Sequence, residues 1–217
     1  MAGDLQRSRI MTSTPRLFRA ALEVTLGLVA LSACATNGNR ATDRPEVALR
    51  RGSAWTTYSF ALPRVIGPTA ELQLKDGVLR GLMSSRAMDV TIAATEANGF
   101  GPGGPASLKI TERDGAVEVD GLWNGGPVHF TFGPTSVRGS AIVARGRTGA
   151  RELSCGYQLD RLDPSGAFVG SSGCSGLPQE TRLEVSPAVR KMLSPSELAV
   201  FLVAALASPP FAPQERL

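Results

Sequence analysis

Lysine, histidine, cysteine and the aromatic residues are all scarce in this chain, and each shortage removes a class of function. Only three of its 23 basic residues are lysines, and the twenty arginines are dispersed rather than gathered into a run. The net charge, 23 − 19 = +4 over 217 residues, is small for a protein that grips a phosphate backbone, so no nucleic-acid partner is expected. His129 is the lone histidine. Any Ser-His-Asp arrangement must therefore use it, and no serine near it has the setting of a nucleophile elbow. Zinc needs three or four His, Cys or acidic ligands, so neither a metal nor a cofactor is expected. No catalytic residues are identified and an enzyme is not expected; a glycosidase working with two acids in a cleft stays open, though no acidic pair stands out. No apolar run approaches the roughly 20 residues that span a bilayer as a helix.

What is present begins with 42% apolar and 19% charged residues, the balance of a folded chain. The N-terminus carries Arg7, Arg9, Arg16 and Arg19, an apolar stretch to Ala30, and then Leu31-Ser32-Ala33-Cys34. A basic start, a short apolar centre and small residues before a cut are the layout of a secretory signal. With Leu31-Ser32-Ala33-Cys34 in place, residues 1–34 resemble a bacterial lipoprotein signal, whose lipobox reads Leu, a small residue, Ala or Gly, then Cys. The resemblance implies cleavage before Cys34, lipid on its thiol and acylation of its new amino group, so that the membrane becomes a partner through Cys34. Two or three acyl chains hold far better than one. In that family an aspartate after the cysteine tends to retain the protein in the inner membrane. Ala35 stands there, which implies the outer membrane, facing the periplasm. Translation from Met11 instead of Met1 would leave a tidier basic start.

Three cysteines is an odd number, and lipidation of Cys34 would remove one. Cys155 and Cys174 flank Asp163-Pro164-Ser165-Gly166, which has the residues of a type I turn. A hairpin folded there sets the two cysteines opposite one another, and an oxidising compartment would pair them as a disulfide.

Residues 1–33 thus read as a signal, 34–50 as the lipidated cysteine with a polar tether, and 51–217 as one β-rich domain. From Ala54 onward apolar residues recur at period two, interrupted by Asp76-Gly77, Asn98-Gly99, Asp114-Gly115 and Asn124-Gly125, all hairpin signals. The fold class is all-β: an antiparallel meander of about nine to eleven strands forming a curved sheet, barrel or sandwich. A 20-residue repeat aligns Gly81, Gly101 and Gly121; Met88, Leu108 and Val128; Val90, Ile110 and Phe130; and Thr91, Thr111 and Thr131. Within each copy the apolar side chains take one face and residues such as Asp89 the other.

The period changes at the C-terminus. Ser194-Pro195-Ser196-Glu197 is a capping box with proline at the first helical position, and it predicts a helix over 195–207. Apolar on every side, that helix has to be covered on every side, and the concave face of the sheet is the place for it. A shorter helix is expected over 187–193.

Other motifs have plainer readings. Gly99-Phe100-Gly101-Pro102-Gly103-Gly104 matches a dinucleotide fingerprint in letters only, since a strand rather than a helix follows it. Asp160, Asp163, Ser165 and Gly166 lack the spacing and terminal glutamate of a calcium loop. Trp55, Tyr58 and Trp123 could stack on sugars, but strand aromatics more often belong to the core. Two functions fit: a lipid-anchored envelope protein with a non-enzymatic structural or protein-binding role, or a periplasm-facing carrier of lipid or another apolar ligand, with the C-terminal helix as its lid or filler.

Overall fold

The computed structural model describes residues 44–143, 153–162, 166–174 and 177–207. The expected signal, Cys34, most of the tether and Asp163-Pro164-Ser165 lie outside the described residues. The strands are β1 Glu46–Arg51, β2 Ala54–Ala61, β3 Arg64–Gly67, β4 Ala70–Lys75, β5 Val78–Met83, β6 Arg86–Ile92 and β7 Glu96–Gly101. They continue as β8 Gly104–Arg113, β9 Ala116–Trp123, β10 Gly126–Phe132, β11 Ser136–Val143, β12 Leu153–Arg161, β13 Phe168–Cys174 and β14 Leu177–Val185. Helices α1 Pro187–Met192 and α2 Pro195–Ala207 follow. Each strand pairs antiparallel with the next, and β14 closes on β1 with Val47 opposite Val185, giving a closed barrel.

Alternation dictates the two faces. In β4, Ala70, Leu72 and Leu74 are buried while Glu71, Gln73 and Lys75 are exposed; in β6, Met88, Val90 and Ile92 are buried and Asp89 and Thr91 are not. The outer wall carries cross-strand ion pairs, Arg80 with Asp89 and Arg138 with Asp160. A basic residue on a lipid-facing barrel wall costs about 2–4 kcal/mol at the bilayer midplane. This wall has the polarity of one that meets water, with the apolar set turned inward.

Among the described residues fourteen strands replace the nine to eleven expected, because several reversals lack an Asn-Gly or Asp-Gly signal: Ser84-Ser85 and Pro102-Gly103 both turn the chain. Conversely, Asn98-Gly99, expected as a turn, lies inside β7, where Gly99 sits between Val90 and Ala106. The tether is also shorter than expected. Val47 and Leu49 alternate with Ala48 and Arg50, are buried, and find partners on both β2 and β14, so residues 46–50 belong to the barrel.

The repeat survives in altered phase. Met88, Leu108, Val128, Val90, Ile110 and Phe130 are all buried. The glycines that correspond structurally are Gly81, Gly99 and Gly121, with φ of +141°, +147° and +142°, so Gly99 takes the place expected for Gly101. Each lies at the inward parity of its strand and faces a core residue on both sides: Leu72 and Met88, Val90 and Ala106, Leu108 and Val128. Glycine kinks of this kind bend strands into a closing wall.

Helix α2 occupies the lumen. Its predicted bounds hold, and the capping box forms: the Glu197 amide donates to Ser194 Oγ (3.3 Å), while the Ser194 amide donates to Glu197 Oε2 (2.9 Å). Every residue from Ala199 to Ala207 is buried. The Phe201 ring meets Tyr58 and Phe60 of β2 edge-on at 5.3 and 4.9 Å between centroids, and the helix packs also on β6, β7, β9 and β11, strands spread around the ring. At ~1.5 Å per residue the helix is about 20 Å long, and it runs along the lumen from the α1 end. At the far end its last carbonyls are met from the wall. Arg51 Nη2 donates to the carbonyls of Ala205 (3.1 Å) and Leu206 (2.6 Å), and the Tyr157 hydroxyl donates to Leu206 (2.6 Å). A cation is the favoured partner for the negative end of a helix, and α2 has no basic residue in its own last turn.

Burial pushes the Tyr157 pKa above the ordinary tyrosine range, and the neighbouring Arg51 only partly offsets this. The unfolded chain therefore loses this proton at lower pH than the folded one. The contribution to stability is complete below about pH 10 and is lost as pH rises through the higher folded value. Thermal melts from pH 8 to 11 should show a stability decline above pH 10 that is shallower in Tyr157→Phe; equal slopes would disprove the linkage.

Cys155 and Cys174 form a disulfide between directly opposed positions of β12 and β13. Opening a loop of this size is worth roughly 3 kcal/mol in the chain-entropy model. Reduction should lower Tm by roughly 6–12 °C for a chain of this length, at 2–4 °C per kcal/mol. A reduced protein melting within a degree of the oxidised one would show that the bond is dispensable.

Candidate functional site

The residues singled out for chemistry do not assemble. His129 is exposed on the outer face of β10, with its Nδ1 on the Asp120 carboxylate of β9. Asp160 is held by Arg138. Among the described residues, no group of three or more His, Cys, Asp or Glu is placed to hold a metal. The glycine-rich segment 99–104 is the end of β7, a turn and the start of β8, with the Gly103 amide donating to Asn124 Oδ1 at 2.9 Å. Of the three aromatics, Tyr58 and Trp123 are core, while Trp55 is exposed beneath the Arg50 guanidinium, 5.7 Å from its ring centre.

Two features do stand out. The first is an apolar band on the outer wall. Ile66, Leu82, Phe100 and Leu122 are 53%, 48%, 66% and 42% exposed. They lie on β3, β5, β7 and β9, each near the end of its strand, and three of them directly follow the inward glycines: Gly81-Leu82, Gly99-Phe100 and Gly121-Leu122. On one side their neighbours are small or apolar, Leu82 opposite Ala87, Phe100 opposite Pro105 and Leu122 opposite Pro127, and on the other they face Glu71, Asp89 and Ser107. Because the repeat stacks hairpins side by side, one exposed apolar residue per copy recurs along the wall, with Glu71 between Ile66 and Leu82 and Asp89 beside Phe100. Single exposed apolar residues are ordinary, but four large ones recurring on alternate strands make this side of the wall the candidate contact surface.

The second feature is a cavity of about 260 Å³ at the end of the barrel where α2 enters. Val117, Phe132, Val137 and Leu183 line it from the wall, Leu198 and Leu202 from the helix. Among the described residues its one charged lining residue is Arg190 of α1, whose guanidinium lies 5.8 Å from the Phe168 ring centre while its Nε donates to the Val185 carbonyl (3.4 Å). Loss of water around Arg190 lowers its pKa from the ordinary guanidinium range, and the like charge of Arg161 lowers it further. The α1 helix is fixed at this rim by Ser186, whose hydroxyl oxygen accepts from the amides of Val189 (3.3 Å) and Glu46 (3.0 Å). Thus the strand that closes the barrel also holds the cation in place.

Period-two reading missed both features. The Gly-Leu, Gly-Phe, Gly-Leu pairs were the available signal for the band. Nothing local signalled the cavity, since its walls come from residues 117 to 202. The chain matches no protein-family model, no curated protein and no solved structure.

Proposed function

We propose that this is a lipid-anchored protein of the bacterial envelope, held in the outer membrane through Cys34 and facing the periplasm, with a non-enzymatic protein-binding role. The observation that carries the binding part is the lumen: α2 occupies it and leaves only the cavity at the α1 end, so a protein partner would meet the outer wall. In the rival reading, a carrier with ligand in the lumen, α2 would have to leave and expose a helix that is apolar on every side. The band of Leu82, Phe100 and Leu122 is the surface we assign to an envelope protein partner.

Two experiments separate the parts of this reading. Cys34→Ser should move the protein from the membrane fraction to the soluble one; unchanged fractionation would remove the anchor. A photo-crosslinking residue in place of Phe100 or Leu122, used in intact cells, should give one discrete adduct with another protein, and the same probe at exposed Ser171 on β13 should give none. No adduct at either band position, an identical adduct at Ser171, or an adduct of the chain with itself would overturn the assignment.

A further inference from the structure

We infer that the cavity at the α1 end of the barrel is a binding site for a single acyl chain ending in a carboxylate, with the chain among Val117, Phe132, Val137, Leu198 and Leu202 and the carboxylate on Arg190. This site is separate from the outer band and does not depend on Cys34 being lipidated. Three observations identify the ligand.

The lining is apolar on both the strand and the helix side, which selects a hydrocarbon rather than a polar ligand. The charge comes next. Among the described residues no acidic side chain lines the cavity and Arg190 has no ion pair, its contacts being a backbone carbonyl and an aromatic face. A planar guanidinium anchored through Nε keeps its two terminal nitrogens for a planar, two-oxygen acceptor, and a carboxylate fits that fork. Desolvation and the neighbouring Arg161 both disfavour the charge on Arg190, so an anion at the mouth relieves a cost the empty site bears. Size sets the chain length. At ~30 Å³ per water, and with a methylene of similar size, 260 Å³ holds roughly nine such units, which points to a medium chain of about ten carbons.

The experiment is calorimetric titration of the purified protein with hexanoate, octanoate, decanoate and dodecanoate, each below its micellar concentration, and with decanol as the uncharged control. Affinity should rise about fourfold per added methylene and level off near decanoate, where the cavity is full. Arg190→Gln should weaken decanoate by about tenfold or more, the loss of a charge-assisted hydrogen bond, and leave decanol unchanged. Leu198→Trp, on the first turn of α2 at the mouth, should abolish binding of both while retaining the parent's melting transition. Absence of saturable decanoate binding would overturn the proposal. So would equal weakening of decanoate and decanol by Arg190→Gln, unimpaired binding in a folded Leu198→Trp variant, or association with anionic phospholipid vesicles without any binding of monomeric carboxylate.

Discussion

Leu202→Asp should abolish the cooperative melting transition of the barrel. Leu202 is 4% exposed on a helix whose neighbours, Phe201 and Val203, are fully buried, and the barrel wall surrounds it. An aspartate there loses the leucine packing and puts a carboxylate among Phe132, Val137 and Leu198 on the cavity wall, with Arg190 the charged residue described in that lining. Together these cost several kcal/mol. Set against a total stability of about 5–15 kcal/mol, this is enough to unfold the domain or leave it marginal. The control is Pro195→Ala at the first helical position, which removes no hydrogen bond and should shift Tm by only a degree or two. Far-UV circular dichroism with a thermal ramp checks both. If Leu202→Asp melts like the parent, α2 is not the core of the barrel and the lumen is open.

Gly121→Val should be among the most damaging single changes in the wall. Gly121 has φ of +142°, a region essentially confined to glycine, and a Cβ there would lie 2.1 Å from the Ser107 carbonyl oxygen on β8. That oxygen is backbone and cannot rotate aside. Relief requires breaking the β8–β9 register around Leu108, so a loss of about 3 kcal/mol or more is expected, with a Tm drop of roughly 6–12 °C. Gly115→Ala is the comparison: its φ of +74° carries ordinary left-handed strain, but no atom lies within 4 Å of the added carbon. Should Gly121→Val melt no lower than Gly115→Ala, the kink is not a structural requirement of the wall.

Much of this architecture was readable from local pattern. Alternation in Met88-Asp89-Val90-Thr91-Ile92 gave the faces, the Ser194–Glu197 box gave the start of α2, and an all-apolar helix demanded enclosure. The opposition of Cys155 and Cys174 followed from a turn midway between them. What escaped was decided by position within the ring. Asn98-Gly99 has the composition of a turn, but its neighbours on both sides are strands, and the sheet uses the glycine's freedom to bend instead of to reverse. Ser84-Ser85 does reverse, with φ of +53° and +60°, because the hairpins around it fix the register. The outer band is read correctly only when alternation is carried through the inward glycines. Leu82, Phe100 and Leu122 follow kinked glycines and land outward, where a strict count of hydrophobic residues would place them in the core.

Closure through β1 and β14 also governs the order in which the molecule can be made. The seam joins residue 47 to residue 185, and the helix that fills the lumen comes later still in the chain. Hairpins from β2 to β13 can zip locally as they emerge, each contact close in sequence. Until the last quarter of the chain arrives, their apolar faces have no filler and the sheet has two open edges. This makes the nascent chain a client for protection during its synthesis, and makes final assembly one late event in which seam, plug and core form together.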